Sequence, residues 1–348
     1  MRRTPLIAAV CAVAATVLAA VPAVASASSS KSDVVELPIS FQVANTNRTA
    51  VPCASDGAEH TVRGTLVAPR EALESGDAAT LYLHAVTWGE YYWRFQEVPG
   101  YDAAHQLAEQ GHVSVTIDRL GYGDSDRPAG YGTCIGSEAD VAGQMVDALR
   151  SGDYELDGAE PAAFDDVFLA GSSVGALIAH TAAYTFGNVD GVVNMSWGDF
   201  AVSPFTGAAL TDVLARCALG GDPGADPGYA AIFRGQQDRF YFSSATPDVR
   251  DAVPALNPDP CGQLASIPAA VAADVVGLGL IDVPVLVVFG DADSVFLPPA
   301  AAQQSLRYLG SPEVTTVTIA DASHFPLVEA NHLDAVAALD EWLDRNGG

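Results

Sequence analysis

The sequence predicts an α/β architecture: a mostly parallel central sheet with helices on both faces, and a helical or loop segment inserted after a core strand. Three observations carry that prediction. Short runs rich in Val, Leu and Ile recur along the 348 residues and alternate with helix-forming stretches, which is how strands buried on both faces read. One such run, residues 167–170, passes through Gly171-Ser172-Ser173-Val174-Gly175 into Ala176-Leu177-Ile178-Ala179-His180. Strand, tight turn and helix thus follow one another. Residues 199–281 then break the rhythm, being rich in proline and without a clear strand.

Taken in order, Arg2 and Arg3 precede an apolar run at 6–24, and Ala25-Ser26-Ala27 offers a small-residue cleavage site. Residues 1–27 therefore read as a signal peptide cleaved near Ala27. A membrane anchor is the competing reading; the Ala-rich run, followed at once by Ser28-Ser29-Ser30, favours cleavage. The mature chain is expected to be secreted, without a stable membrane anchor. Strands at 34–43 and 61–68 flank a turn-rich link containing Pro52, Cys53 and Gly57. Asn47-Arg48-Thr49 within it is a glycosylation sequon.

The compact strand 80–84 leads into Ala85-Val86-Thr87. A helix over 101–110 ends at Gly111, a buried strand follows at 113–117, and residues 118–128 form a glycine-pinned loop. Residues 137–150 read as a helix with Ser137 available as its cap. After the central strand and helix come a strand at 189–195 and then the insertion. Its aromatics Tyr229, Phe233, Phe240, Tyr241 and Phe242 serve either a binding crevice at the strand ends or the insertion's own core. Strands at 283–289 and 314–319 and helices at 299–309 and 327–345 complete the chain. The core is thus expected in two parts, 28–198 and 282–348, with 199–281 as a cap.

Cys11 leaves with the leader, so four cysteines remain. An even number in an exported chain reads as two disulfides. Three pairings are open; Cys53–Cys134 and Cys217–Cys261 each stay within one region. With no C-x-x-C, a zinc or redox motif is not expected. The formal net charge is −27 and Lys31 is the only lysine. Such a surface excludes nucleic acid, whose phosphates need Lys and Arg, as a partner. It suits neutral or cationic substrates better than polyanions, and with the aromatics of the insertion the expected substrate is a small molecule, neutral and partly apolar.

The turn around Ser173 has the form of a nucleophile elbow. Its glycines leave room for a sharp bend, and the helix that follows aims N–H groups where negative charge would develop. A serine nucleophile needs a base and a carboxylate to orient that base. Of seven histidines, only His324 lies between the last strand and the last helix. The others end strands or lie on helix faces. The carboxylate should follow an apolar strand, and Asp293 is the choice over Asp291, its neighbour in Gly290-Asp291-Ala292-Asp293. Two backbone donors are expected to form an oxyanion hole: Val174, after the nucleophile, and Val86, in the loop after the strand 80–84, with Thr87 beside it.

The motifs Gly171-Ser172-Ser173-Val174-Gly175, Asp118-Arg119-Leu120-Gly121-Tyr122-Gly123-Asp124-Ser125, Gly290-Asp291-Ala292-Asp293 and Ser323-His324-Phe325-Pro326 together resemble the α/β-hydrolase superfamily over residues 34–345. The resemblance implies an α/β-hydrolase fold and a Ser-His-Asp hydrolase working without metal or organic cofactor. Ala85 stands where the family usually has glycine after the histidine, and Ser323 where it often has glycine before it. The expected activity is cleavage of a small-molecule carboxylic ester or lactone through an acyl-enzyme. One alternative is a proline-iminopeptidase-like aminopeptidase. Those enzymes hold the substrate amine with cap carboxylates, typically glutamates, and residues 199–312 contain no glutamate. The other is a non-catalytic binding protein on the same fold, disfavoured because all three triad positions are filled.

Overall fold

The computed structural model describes residues 33–347; the leader expected at 1–27 lies outside the described residues. The chain begins with β1 (Val34–Ala44) and β2 (Glu59–Pro69), followed by α1 (Arg70–Ser75), β3 (Ala78–Leu83), α2 (Ala103–Gln110), β4 (Ser114–Asp118) and α3 (Ile135–Ser151). Next are a two-residue β5 (Glu155–Leu156), β6 (Asp166–Ser172), α4 (Val174–Phe186) and β7 (Gly191–Met195). The insertion carries α5 (Pro204–Ala218), β8 (Tyr229–Ala230), α6 (Gln237–Tyr241), α7 (Pro247–Ala252), β9 (Asp259–Pro260) and α8 (Cys261–Gly277). The chain closes with β10 (Val285–Gly290), α9 (Ala300–Ser305), β11 (Val314–Ile319) and α10 (His332–Asn346).

The main sheet runs β11-β10-β7-β6-β3-β4-β2-β1-β5. From β11 to β4 every pair is parallel; β2, β1 and β5 extend the far edge antiparallel. The chain moves outward in one direction from β3 to β4 and in the other from β6 through β7 and β10 to β11. With right-handed crossovers, that reversal puts helices on opposite faces. Accordingly α3 packs on α4, and α2 on α10. It also creates a switch point beside β3 and β6, where parallel sheets place their crevice at the strands' carboxyl ends.

Composition explains the layering. β7 and β10 are buried throughout and read as unbroken apolar runs apart from Asn194. Edge strand β11 alternates and stays half exposed. α4, buried from Val174 to Ala183, is apolar all round because it lies between the sheet and the helices α3 and α8.

Several expected elements shift. Ser137 is not the cap of α3 but its third residue: the helix starts at Ile135 after Cys134, and the Ser137 Oγ accepts the Cys134 N–H at 3.0 Å. The helix expected at 327–345 begins only at His332, because Glu329 adopts an extended backbone after a short 3₁₀ turn, Pro326–Val328. The helix expected at 299–309 ends at Ser305; the Arg307 guanidinium turns back onto the Val275 carbonyl at 3.2 Å. Helix α1 and the two short strands of the insertion, β8 and β9, are additional.

Cys53 is bonded to Cys134 and Cys217 to Cys261. The first bridge ties the β1–β2 link to the start of α3. The second joins the end of α5 to the start of α8, inside the insertion.

Candidate active site

Ser173 sits between β6 and α4 at φ 53° and ψ −122°. A positive φ at a non-glycine residue costs about 1–3 kcal/mol and persists only where the surroundings impose it. Here they do. A Cβ on Gly171 would lie 2.2 Å from the Gly175 carbonyl, and one on Gly175 would lie 2.3 Å from the Leu83 carbonyl oxygen. Only glycines let the turn close this tightly against β3. The Ser173 N–H donates to the Met195 carbonyl at 2.8 Å, fastening the turn to the end of β7.

The loop after β11 brings His324 onto this serine: Nε2 lies 2.8 Å from the Ser173 Oγ. On the other side of the ring, Nδ1 lies 2.9 Å from Asp293 Oδ2 and 3.1 Å from Oδ1. The side chains of His324 and Asp293 are inaccessible to water. Asp293 Oδ1 also accepts the N–H groups of Val295 (2.7 Å) and Phe296 (3.1 Å), which fix the carboxylate plane. Asp291 is exposed and has no part in this arrangement; its N–H donates to the Ile319 carbonyl. Ser173, Asp293 and His324 come from three different strand ends and form one hydrogen-bonded line.

Beside the line lies a cavity of about 300 Å³ lined by Ser173, His324, Val86 and Val174. The remaining lining is mostly apolar: Trp197, Phe233, Phe240, Ile267 and Phe296 among others. Phe233 and Phe240 stack at 3.7 Å, and Phe240 lies 5.7 Å from the His324 ring. Of the five insertion aromatics singled out from the sequence, only these two line the cavity. The Tyr229 hydroxyl bonds to the Pro128 carbonyl, Tyr241 packs on Trp88 at 4.6 Å, and Phe242 packs on Tyr241. Thr87, the neighbour considered as an oxyanion donor, has its N–H engaged by the Asp259 carboxylate at 2.6 Å.

The one carboxylate on the cavity wall is Asp199. Burial, reinforced by the nearby Asp274, pushes its carboxyl up to about 6. Its oxygens face the Trp197 indole N–H at 3.1 Å and the Gln304 amide at 3.5 Å. The buried histidines elsewhere have structural partners. His84 accepts the Arg119 N–H at Nε2 and donates from Nδ1 to the Ala85 carbonyl, and burial holds its basicity well below that of a free imidazole. His180 bonds to the Tyr308 hydroxyl, and burial pushes it down to about 4.

Two carboxylates had no signal in the sequence. Glu329, fully buried, accepts N–H groups from Ser323 (2.9 Å), Ser243 (2.7 Å) and Ser244 (2.7 Å), joining the His324 loop to the insertion. Asp259 does the same for the loop after β3. The only group of metal-ligating type among the described residues, His112 with Asp340 and Asp344, lies where β4 begins, at the opposite end of the strands from Ser173.

The comparisons with known proteins bear on the fold and the family. No curated protein sequence matches the chain. Among solved structures it is similar to an esterase from Thermogutta terrifontis, at 18% identity and a TM-score of 0.61, covering 88% of this chain and 100% of that one. It is also similar to an enol-lactonase from Burkholderia xenovorans (16%, TM-score 0.57, 82% and 97% covered). A monoacylglycerol lipase from Paleococcus ferrophilus is a third (20%, TM-score 0.54, 76% and 93% covered). The model of the alpha/beta hydrolase family matches residues 80–339, from β3 through most of α10, and the chain belongs to that family.

Proposed function

We propose that the protein is an exported serine hydrolase that cleaves a carboxylic ester or lactone through an acyl-enzyme on Ser173. The observation that carries this reading is the 2.8 Å contact between the Ser173 Oγ and His324 Nε2, backed by Asp293 on Nδ1. In the proposed reaction His324 takes the Ser173 proton as the oxygen attacks the carbonyl carbon. The Val86 and Val174 N–H groups receive the resulting oxyanion; each such donor contributes about 10²–10³ in rate. The C–O bond to the leaving alcohol then breaks and His324 returns the proton to it. Water attacks the acyl group by the same path in reverse, with His324 again as base.

The largely apolar cavity supports a neutral acyl or alcohol group, with residues 199–281 as the cap over it. The two disulfides and the apolar N-terminal run support an exported protein. The aminopeptidase alternative would need a carboxylate free to hold an amine, and Asp199 is already turned to Trp197 and Gln304.

Hydrolysis of nitrophenyl esters from acetate to palmitate, by wild type beside Ser173→Ala, tests the reading. The expected result is an optimum at short or medium chains and a loss of about three orders of magnitude or more in kcat for a folded Ser173→Ala protein. Near-normal turnover in that variant overturns the assignment. Hydrolysis of prolyl-amides in preference to every ester would move it to the aminopeptidase.

A further inference from the structure

The direction of the Val86 N–H is decided by bonds one residue to either side. In a trans peptide the carbonyl and the following N–H point oppositely. The Ala85 carbonyl is drawn into the protein by His84 Nδ1 (2.7 Å) and by Arg119 Nη2 (3.3 Å), so the Val86 N–H points the other way, to the side of the cavity. The next residue, Thr87, is a β-branched side chain at φ 63°, a conformation that needs outside support.

All of that support comes from the insertion. The Thr87 N–H donates to Asp259 Oδ1 at 2.6 Å, its carbonyl accepts the Asn257 N–H at 3.0 Å, and its hydroxyl meets the Tyr241 hydroxyl at 2.8 Å. Asp259 is itself fully buried, with Oδ2 accepting the Ile232 N–H at 3.2 Å. We propose that Asp259 is a positioning residue for catalysis: by holding the Thr87 N–H from the insertion, it sets the loop that aims the Val86 N–H at the oxyanion.

Asp259 belongs to a wider buried network. The Tyr122 hydroxyl lies 2.9 Å from Asp259 Oδ1 and 2.7 Å from Gln263 Oε1, and the Gln263 amide donates to Glu138 Oε1 at 2.6 Å. Glu138 is paired with the buried Arg119. Burial raises the Asp259 carboxyl to about 7.

This inference rests on reading Val86 as an oxyanion donor, and the test keeps the two apart. Asp259→Leu keeps the approximate shape and removes the acceptor; Asp259→Asn keeps an oxygen for Thr87. On the best nitrophenyl ester, Asp259→Leu should lose about 100-fold in kcat, the scale of one oxyanion donor, with KM within about threefold. Asp259→Asn should recover most of that loss. A folded Asp259→Leu protein with kcat within threefold of wild type overturns the proposal. So does a loss confined to KM, or an Asn variant as slow as Leu. Should Asp259→Leu not fold, amide hydrogen exchange on the wild type decides. The Thr87 N–H should exchange as slowly as the amides of β3, and exchange at the rate of exposed loops overturns the clamp. If the wild type has no Ser173-dependent turnover, the functional reading fails while the exchange measurement still judges the clamp.

Discussion

At the scale of single residues, the site is made of groups whose neighbours leave them one conformation each. Ser173 cannot relax its backbone because Gly171 and Gly175 are packed against β3 and each other. His324 sits between the Ser173 hydroxyl and a carboxylate that is itself held by two backbone N–H groups. The second of these contacts favours one tautomer: with the Nδ1 proton directed at Asp293, Nε2 is left to accept from the Ser173 hydroxyl. Asp293→Asn would offer an amide N–H to Nδ1 and favour the opposite tautomer. We expect kcat on esters to fall by about 10⁴-fold with KM little changed, measured beside wild type at one pH. A loss below tenfold would remove Asp293 from the catalytic line. The sequence favours Asp293 but leaves Asp291 as the alternative, since both follow the same strand and only the turn's path separates a buried acid from an exposed one.

Among the elements, the strands and the strand–turn–helix at Ser173 were legible because burial on both faces demands Val, Leu and Ile in unbroken runs. The loops bearing Val86, Asp293 and His324 could then be placed by the strands that precede them. Helix ends were less legible. α10 starts late because Glu329 is held extended by Ser243 and Ser244, which are more than eighty residues away and leave no local trace. Asp259 is hidden for the same reason: it stands between Pro258 and Pro260 in a two-residue strand, and its partners Thr87, Tyr122 and Ile232 are all distant in sequence. The insertion is also stapled internally by Cys217–Cys261, which closes a loop spanning a sequence separation of 44. Opening it in a Cys217→Ala, Cys261→Ala protein should destabilise by about 3–4 kcal/mol. Denaturant melting under non-reducing conditions would register this, and an unchanged midpoint would mean that packing alone holds α5 to α8.

For the molecule as a whole, the unusual term is its acidity. A net charge of −27 favours solubility and opposes polyanionic partners, and several acids are buried as well. Burial pushes Asp259 to about 7 and Glu90, also near Asp118, to about 7; it raises Asp199 and Asp274 too. These carboxyls titrate near 4 when unfolded. Between about pH 4 and 8 the folded protein therefore binds more protons than the unfolded one, and stability falls as pH rises through that window. Below it the slope reverses. Asp126 is held low by the Thr61 N–H and Arg63, and Asp140 is held low because Arg48, Gln144 and Thr46 outweigh the effect of its burial. Thermal melting should give a higher Tm near pH 5 than near pH 8; a Tm that climbs steadily to pH 8 would contradict the raised carboxyls.

The two buried carboxylates of the insertion's contacts have a further consequence for traffic through the site. Glu329 fastens the insertion to the histidine loop, and Asp259 fastens it to the loop that bears Val86. Lifting the insertion would pull on both loops at once. Val202 and Pro268 are the exposed residues of the cavity wall. On the proposed reading, the insertion is part of the frame that holds the site and not a door hung over it.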